Sequence, residues 1–222
     1  MNRNTRSKQK PLLFQRRLRR FFCTFLPFAV RRQGGAATRE HWERHPTVAA
    51  FEGIDPASQA QMDEIVALVP DRAAAILDLG CNVGRHLDYL YRQGYRNLRG
   101  VDWSAAALRD MGERYPEAHT AAKLTCASFE DFLSGDPEPV ELVYTRGATF
   151  ELVHPAFPLI RQVCRIARRY VVLVIAEAGH AYPRFWEYEF ARQGFELAHL
   201  RRPASPRAPE HKVSLMTFRR LG

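Results

Sequence analysis

A short set of residues that could bind a ligand lies in residues 74–90, AAILDLGCNVGRHLDYL. It contains Asp78, Gly80 and Gly84, with Asn82 between the two glycines. The glycines let the backbone turn and approach a ligand without a Cβ atom in the way. Asn82 stands where nucleotide-binding loops usually have another glycine, and asparagine tolerates a positive φ better than most residues do. The segment is therefore predicted to be a ligand-binding loop between a strand and a helix, with Asn82 at positive φ.

The spacing within this loop separates the classes of ligand that such loops bind. Dinucleotide-binding loops have the pattern Gly-x-Gly-x-x-Gly, and P-loops have a lysine beside the last glycine. Here the pattern is Gly-x-x-x-Gly without that lysine, which excludes a P-loop and disfavours a dinucleotide. Asp78, at the end of the strand, suits a cofactor with a cationic end better than a pyrophosphate, which needs unobstructed backbone N–H groups. An NAD(P)-dependent oxidoreductase on a related sheet is the alternative enzyme class.

Strands and helices alternate along the chain after residue 55. Apolar, β-branched runs predict strands at 74–80, 97–103, 123–128, 140–147, 169–178, 195–202 and 212–220. Helical spacing of apolar residues predicts helices at 56–69, 84–94, 104–116, 129–135, 155–167 and 182–194. Repeated units of this length imply an α/β fold with a doubly wound, mainly parallel sheet and helices on both faces. Ligands of such sheets bind at the carboxyl ends of the strands.

Four motifs in chain order resemble those of the class I S-adenosylmethionine-dependent methyltransferases. The segment Asp78–Gly84 is similar to their first motif, Asp/Glu-x-Gly-x-Gly-x-Gly, and Asp102 to the acid that ends their second strand. CASFED, residues 126–131, and ELVYTRGATFELVHP, residues 141–155, resemble the third and fourth motifs. The resemblance covers about residues 70–220 and implies a Rossmann-like, seven-stranded sheet with an antiparallel last strand.

The resemblance also implies S-adenosyl-L-methionine as the cofactor and gives several residues a role. Asp102 would bind both ribose hydroxyls, Trp103 would cover the adenine, and Asp78 would orient the amino end of the methionine part. The full set of expected cofactor-binding residues is Asp78, Gly80, Cys81, Asn82, Gly84, Arg85, Asp102, Trp103, Ser128, Phe129 and Thr145. For Trp103 and Cys81 ordinary core packing is the alternative, and for Arg85 a solvated position on its helix. No metal site is expected.

The methyl acceptor is less well defined by the sequence. Glu151 and His154 follow the fourth predicted strand and are candidates for a general base, which is needed only if the acceptor loses a proton. The alternatives are that Glu151 starts a helix and that His154 packs before Pro155. The motifs of amino-methylating and cytosine-5-methylating enzymes are absent, and a short chain leaves no room for a large recognition domain. A small-molecule, sugar or lipid-linked acceptor is therefore expected, and no nucleic acid.

The first 39 residues differ in charge from the rest of the chain. They contain eleven Lys and Arg and no Asp or Glu, so that residues 40–222 carry a net charge of −2 within a total of +9. We therefore divide the chain into a basic arm and linker, residues 1–39, and a methyltransferase domain, residues 40–222. The four cysteines form no Cys-x-x-Cys pair, which is consistent with a reducing, cytoplasmic location.

Within the arm, residues 11–28 have the pattern of a basic amphipathic helix. Phe14, Leu18, Phe21 and Phe25 form one stripe, and the arginines lie largely off it. The helix is too short and too charged to span a bilayer, but it suits peripheral contact with an anionic membrane. The alternatives are packing on the body or on a partner, and a targeting presequence. A non-catalytic, cofactor-binding scaffold at a membrane surface is the alternative function outside catalysis, and the oligomeric state is not defined by the sequence.

Overall fold

The structure is a computed structural model that describes residues 6–32, 53–147, 150, 153–176, 181–206 and 213–222. The strands are β1 (Ile76–Leu79), β2 (Leu98–Asp102), β3 (Lys123–Cys126), β4 (Val140–Arg146), β5 (Ala167–Ile175), β6 (Phe195–Arg201) and β7 (Ser214–Arg220). The α-helices are α1 (Arg6–Phe25), α2 (Pro56–Leu68), α3 (Arg85–Arg92), α4 (Ala105–Arg114), α5 (Pro116–Ala121), α6 (Phe129–Ser134), α7 (Leu159–Ile166) and α8 (Trp186–Ala191). The predicted boundary between residues 39 and 40 lies outside the described residues and stays a prediction.

The strands form one sheet in the order β3-β2-β1-β4-β5-β7-β6. Every neighbouring pair is parallel except those of β7, which runs antiparallel to β5 and to β6. This confirms the Rossmann-like, doubly wound α/β fold with seven strands, a mainly parallel sheet and an antiparallel last strand. The order reverses at β1, because β2 lies on one side of it and β4 on the other. The crevice between the carboxyl ends of β1 and β4 is therefore where such a sheet binds a ligand.

Both faces of the sheet are covered, because successive strand residues point to opposite sides. Leu77 and Val143 pack in one apolar layer together with residues of α7 and α8. Ile76 and Leu142 pack in the other layer with residues of α2, α3 and α4. Strands that are apolar on both sides are expected at the centre of a covered parallel sheet.

Proline positions account for part of the difference between the helices and the sequence prediction. The predicted helix 104–116 corresponds to α4, and the unpredicted helix α5 follows it with Pro116 at its first position, where the missing N–H group is not needed. The predicted helices 155–167 and 182–194 begin later, at Leu159 and Trp186. A proline disfavours helical backbone at the residue before it, so Pro158 accounts for the start of α7 at Leu159; the later start of α8 has no such explanation.

Helix α1 packs on the body near α8. Cys23 is 1% exposed, the Phe185 backbone N–H donates to Thr24 Oγ1 at 3.1 Å, and Arg19 Nη2 donates to the Ala181 carbonyl at 2.6 Å. Three residues of the predicted apolar stripe, Leu18, Phe21 and Phe25, are nevertheless 45%, 46% and 42% exposed. Within the described part of the chain, no helix has the length and apolar character needed to cross a membrane.

Candidate cofactor and acceptor site

The loop after β1 has the backbone that its residue types predict. Gly80 and Gly84 have φ values of 97° and 74°, and Asn82 has a φ of 48°, which confirms the expectation for Asn82. The Asn82 side chain supports this turn, since its Oδ1 accepts the Val83 N–H at 2.7 Å. Gly84 is also required by packing, because a Cβ atom there would lie 2.2 Å from Met111 Sδ. The loop therefore joins β1 to α3 through a left-handed backbone that few other residues would permit.

Asp102 ends β2 with its carboxylate fixed by two backbone donors. Oδ2 accepts the Asn82 N–H at 2.9 Å and Oδ1 accepts the Ser104 N–H at 2.9 Å. Burial raises the pKa of Asp102, although these hydrogen bonds from the backbone oppose the shift. The Trp103 backbone also donates to this carboxylate, so about one of its roughly four acceptor positions remains for a ligand hydroxyl. Trp103, the next residue, is partly exposed beside it.

Asp78 is the buried acid of the site. It is 1% exposed, and burial is the main reason why its pKa is raised to about 7. The charge of Asp102 also raises this pKa, while the Tyr144 hydroxyl and the charge of Arg85 lower it. Asp78 Oδ2 has no hydrogen-bond partner among the described residues, and the buried Tyr144 hydroxyl lies nearby without a hydrogen bond of normal geometry. A buried, unpaired carboxylate is costly and is stabilised by a cation. Asp78 therefore fits the cationic amino end of S-adenosylmethionine.

Three charged residues from distant parts of the chain meet beside this loop, and two of them were not predicted. Asp55 binds Arg146 through Oδ1 at 2.8 Å, and its Oδ2 lies 3.7 Å from Arg85 Nη2. Arg85 also donates to the Gly53 carbonyl at 3.1 Å. Burial acts to raise the pKa of Asp55, but hydrogen bonds from Ser58 and the charge of Arg146 lower it to about 2. Arg85 is thus a buried, paired residue and not a solvated one.

His86 is a second residue that the sequence did not indicate. It is 6% exposed, and burial together with the charges of Arg85 and Arg146 lowers its pKa to about 3. Its Nε2 atom is buried without a partner among the described residues, and its ring centre lies 6.3 Å from that of Tyr144. The only signal in the sequence was its position in the first turn after the glycine loop.

The structure shows the positions of four further residues that were predicted to bind the cofactor. Their contacts with the cofactor stay predictions. Ser128 caps α6: its Oγ accepts the Asp131 N–H at 3.0 Å and donates to the Asp131 carboxylate at 2.7 Å. Phe129 is the first residue of α6 and is partly buried, and Thr145 is fully buried in β4. Cys81 is buried, and burial raises the pKa of its thiol well above the usual value, which makes it a packing residue and a poor nucleophile.

The two candidate bases differ in what the structure shows of them. Glu151 lies outside the described residues. His154 Nδ1 accepts the Ala156 N–H at 3.2 Å, and Nε2 lies 2.8 Å from the Val30 carbonyl. A carbonyl only accepts, so Nε2 carries the proton and both ring nitrogens are engaged. In this arrangement His154 holds the end of the arm and has no lone pair left for an acceptor's proton. Its role in catalysis stays a prediction.

The chain is similar to known proteins in part of its sequence and in its fold. Residues 76–170 match a family model described as a methyltransferase domain. No curated protein gives a significant sequence match. Among solved structures, the chain is similar to a 1,6-didemethyltoxoflavin-N1-methyltransferase from Burkholderia thailandensis, with 16% identity and a TM-score of 0.64, covering 84% of this chain and 87% of that one.

Two further structures have the same topology. The magnesium protoporphyrin IX methyltransferase of Synechocystis PCC 6803 with bound S-adenosylmethionine has 15% identity and a TM-score of 0.62, covering 93% of this chain and 97% of that one. A TehB-like methyltransferase from Corynebacterium glutamicum has 20% identity and a TM-score of 0.58, covering 84% and 98%. The family match shows a methyltransferase domain over residues 76–170, and the sheet order together with these solved structures shows that the chain has the fold of S-adenosylmethionine-dependent methyltransferases.

Proposed function

We propose that this methyltransferase acts on a small-molecule or lipid-linked acceptor that binds at the carboxyl ends of β4 and β5. The observation that carries the cofactor part of the proposal is the pair of buried acids, Asp78 and Asp102, on either side of the glycine loop. Asp78 Oδ2 has no hydrogen-bond partner within the part of the chain that the structure describes, and the Asp102 carboxylate is oriented by backbone N–H groups. The cofactor supplies an electrophilic methyl group, and the chain supplies its orientation.

Positioning accounts for most of the catalysis expected from these residues. Methyl transfer requires the acceptor atom to be held in line with the reactive methyl group, and such orientation alone removes much of a reaction barrier. Asp102 is fixed by two backbone hydrogen bonds, and the Asp55–Arg85–Arg146 cluster ties the start of α2 to α3 and to the end of β4. These contacts support a rigid cofactor side of the crevice.

The proposed acceptor class has two supports. The similar enzymes named above act on magnesium protoporphyrin IX and on 1,6-didemethyltoxoflavin, both of which are small molecules. The part of this chain between the end of β4 and α7, which borders the expected acceptor side, carries neither motif that is typical of enzymes modifying nucleic-acid bases.

The arm supports peripheral membrane contact. Phe21, Phe25 and Phe28 are 46%, 42% and 88% exposed, although α1 is packed on the body. Arg16 and Arg17 are exposed on the same helix. Aromatic side chains that insert into the headgroup region and arginines that pair with anionic lipids are the two components of reversible surface binding. Such contact would bring the crevice close to acceptors that are lipid-linked or dissolved in the membrane.

Incubation of a source-cell extract with the protein and methyl-labelled S-adenosylmethionine tests the proposed function. Mass spectrometry is expected to show a labelled small molecule with the wild-type chain and none with Asp102→Ala. Glu113→Ala, at an exposed position on α4, is the matched control and should label the same product. Cofactor binding without any labelled product in the small-molecule or lipid fraction would instead favour the non-catalytic scaffold.

A further inference from the structure

Tyr144 and Asp78 lie next to one another on neighbouring strands of the sheet. They are partners in the register of the parallel pair β1 and β4, so their side chains point to the same face. This is the face that α2 and α3 cover, because Tyr144 packs in the same apolar layer as Ile76 and Leu142. Tyr144 is 0% exposed and Asp78 is 1% exposed. The hydroxyl and the carboxyl group are therefore enclosed together between the sheet and these helices.

The two side chains have complementary unsatisfied atoms. Asp78 Oδ2 and the Tyr144 hydroxyl are buried, and neither has a hydrogen-bond partner among the described residues. An ionised carboxylate only accepts hydrogen bonds, and a hydroxyl group can donate one. Burial raises the pKa of Tyr144 well above its usual value, so the hydroxyl keeps the proton that it would donate. Since leaving both groups unsatisfied is costly, a hydrogen bond between them is the arrangement that satisfies both.

We propose that Tyr144 is a positioning residue for the cofactor site, and that its hydroxyl donates to Asp78 Oδ2 once this carboxyl group is ionised. The hydrogen bond stabilises the form of Asp78 that binds the cationic amino end of S-adenosylmethionine. Tyr144 acts through the acid and does not itself contact the cofactor. The inference rests on the proposed role of Asp78 in cofactor binding, and it names the group that controls the ionisation of this acid.

Other charged and titratable groups around Asp78 come from β2, α3 and the glycine loop. Asp102 at the end of β2 raises the pKa of Asp78, and Arg85 at the start of α3 lowers it. The Cys81 thiol and the His86 ring are neutral near pH 7, because burial raises the pKa of the first well above its usual value and lowers that of the second to about 3. The pKa of Asp102 is raised as well, so a variant in which Asp78 cannot ionise is needed to separate the two acids.

Calorimetry of the full-length wild type and of Tyr144→Phe with S-adenosylmethionine tests this role. The variant keeps the ring and loses the hydroxyl, whose hydrogen bonding lowers the pKa of Asp78. A hydrogen bond to a charged group corresponds to roughly one pKa unit or more. The ratio of the wild-type affinity to the variant affinity should therefore fall from about ten near pH 6 to about one near pH 9. Ionisation of the cofactor itself is common to both proteins and cancels from this ratio.

The pH dependence separates this role from a structural one. A pH-independent loss of affinity in Tyr144→Phe would mean that the hydroxyl only supports the shape of the site, and unchanged affinity would mean that it is an unsatisfied group of the core. Either result would overturn the proposal. A wild type that does not bind S-adenosylmethionine would contradict the proposed function, and unfolding without the cofactor would still decide the role of Tyr144.

Tyr95→Phe is the matched control, since it also removes one buried tyrosine hydroxyl. That hydroxyl donates to the Val69 carbonyl at 2.5 Å, and Tyr95 is 0% exposed. Its loss should lower the melting temperature, yet the ratio of the wild-type affinity to the Tyr95→Phe affinity should not change with pH. A ratio that falls with pH as in Tyr144→Phe would assign the effect to general destabilisation and would contradict the proposal.

Unfolding by urea without cofactor measures the pKa of Asp78 independently of binding. Between about pH 6 and pH 9 the unfolding equilibrium constant of Tyr144→Phe should rise about tenfold relative to that of the wild type, because the stability of the variant keeps falling up to the higher pKa of Asp78. In an Asp78→Asn background the same substitution should change this constant by a factor that does not depend on pH. A factor with the same pH dependence in both backgrounds, or with none in either, would contradict the proposal.

Tyrosine NMR of the wild type tests the hydrogen bond if Tyr144→Phe does not fold. The chain has eight tyrosines, which are labelled with ¹³C at Cζ. One resonance should shift with a midpoint near pH 7, where Asp78 ionises, and should stay fixed in Asp78→Asn. Absence of any tyrosine resonance that depends on Asp78 in this way would overturn the proposal.

Discussion

The backbone N–H of Asn82 donates to Asp102 Oδ2 at 2.9 Å. Through this hydrogen bond the glycine loop after β1 and the acid at the end of β2 hold each other in place. The bond depends on the left-handed backbone of Asn82, whose φ is 48°. A change in the backbone conformation of residue 82 is therefore expected to displace the Asp102 carboxylate through this hydrogen bond.

Substitutions at Asn82 test this dependence. Asn82→Gly should keep the affinity for S-adenosylmethionine, because glycine adopts a positive φ freely. Asn82→Val should lose it or shift the loop, since a β-branched residue at positive φ costs on the order of 1–3 kcal/mol. Calorimetry on both variants distinguishes them, with Asn97→Val, at an exposed position just before β2 that does not have a positive φ, as the control for the same change of residue type. Similar affinities for the glycine and valine variants would contradict the backbone argument.

Asp78→Asn is expected to change how stability depends on pH. The pKa of Asp78 is about 7 in the folded chain and ordinarily 3.8, so the folded state holds an extra proton between these values, and stability is lost as the pH rises through this window. His86 acts oppositely, because its pKa falls from 6.5 to about 3, and its contribution is lost as the pH falls below 6.5. In the wild type these two effects oppose one another.

In Asp78→Asn, of these two residues only His86 still makes the free energy of unfolding depend on pH. Between about pH 4 and pH 6.5 the free energy of unfolding of Asp78→Asn should rise relative to the wild type by about 1.4 kcal/mol per pH unit at most. Urea unfolding at several pH values measures this difference, with Glu113→Gln as the control. A constant difference between Asp78→Asn and the wild type over this range would show that Asp78 has no raised pKa.

The affinity for S-adenosylmethionine should depend on whether Asp78 is ionised. A cationic amino group beside Asp78 favours the ionised carboxylate, so binding lowers the pKa from about 7 and releases a proton. Affinity for S-adenosylmethionine should therefore rise between about pH 6 and pH 8 and level off above it. Calorimetry in two buffers with different ionisation enthalpies counts the protons. Proton uptake, or the same release from Asp78→Asn, would be inconsistent with this role.

The arm should bind anionic vesicles through its exposed phenylalanines. Phe22 and Phe28 are 36% and 88% exposed, so Phe22→Ser with Phe28→Ser removes apolar surface that faces solvent. Each buried aromatic ring contributes roughly 150–250 Å² at about 25 cal/mol per Å², so the loss is on the order of several kcal/mol. Sedimentation with phosphatidylglycerol vesicles at low salt should fall sharply for this variant and for a chain that starts at Thr38. Sedimentation equal to the wild type would leave packing on the body as the function of the arm.

Much of the cofactor side of the site was predictable because its residues are close in sequence. Asp78, Gly80, Asn82 and Gly84 lie in one turn, and both the positive φ of Asn82 and the role of Gly84 follow from residue type. The strand order was accessible for a similar reason, since alternating strands and helices leave few topologies for a doubly wound sheet.

The rest of the site depends on contacts between distant segments. Asp55 and Arg146 are 91 residues apart, and no local pattern pairs an acid before Pro56 with an arginine that ends β4. The sequence could not show that α1 packs on the body, because a basic amphipathic helix that binds a membrane has the same residue pattern as one that packs on a protein surface. Cys23 is buried and Thr24 accepts a hydrogen bond from the Phe185 N–H, yet neither belongs to the predicted apolar stripe. Phe25, which does belong to it, packs against Phe185 and Tyr188.

Titration of the full-length chain with S-adenosylmethionine, compared between the wild type and Asp102→Ala, tests the central claim most directly. The account predicts one molecule bound per chain and a loss on the order of 2–4 kcal/mol in the variant, because charge-assisted hydrogen bonding to the ribose is removed. Glu113→Ala should bind as the wild type does, and NAD⁺ should not compete. Equal affinity of the wild type and Asp102→Ala, or tighter binding of NAD⁺ than of S-adenosylmethionine, would contradict the assignment of this site.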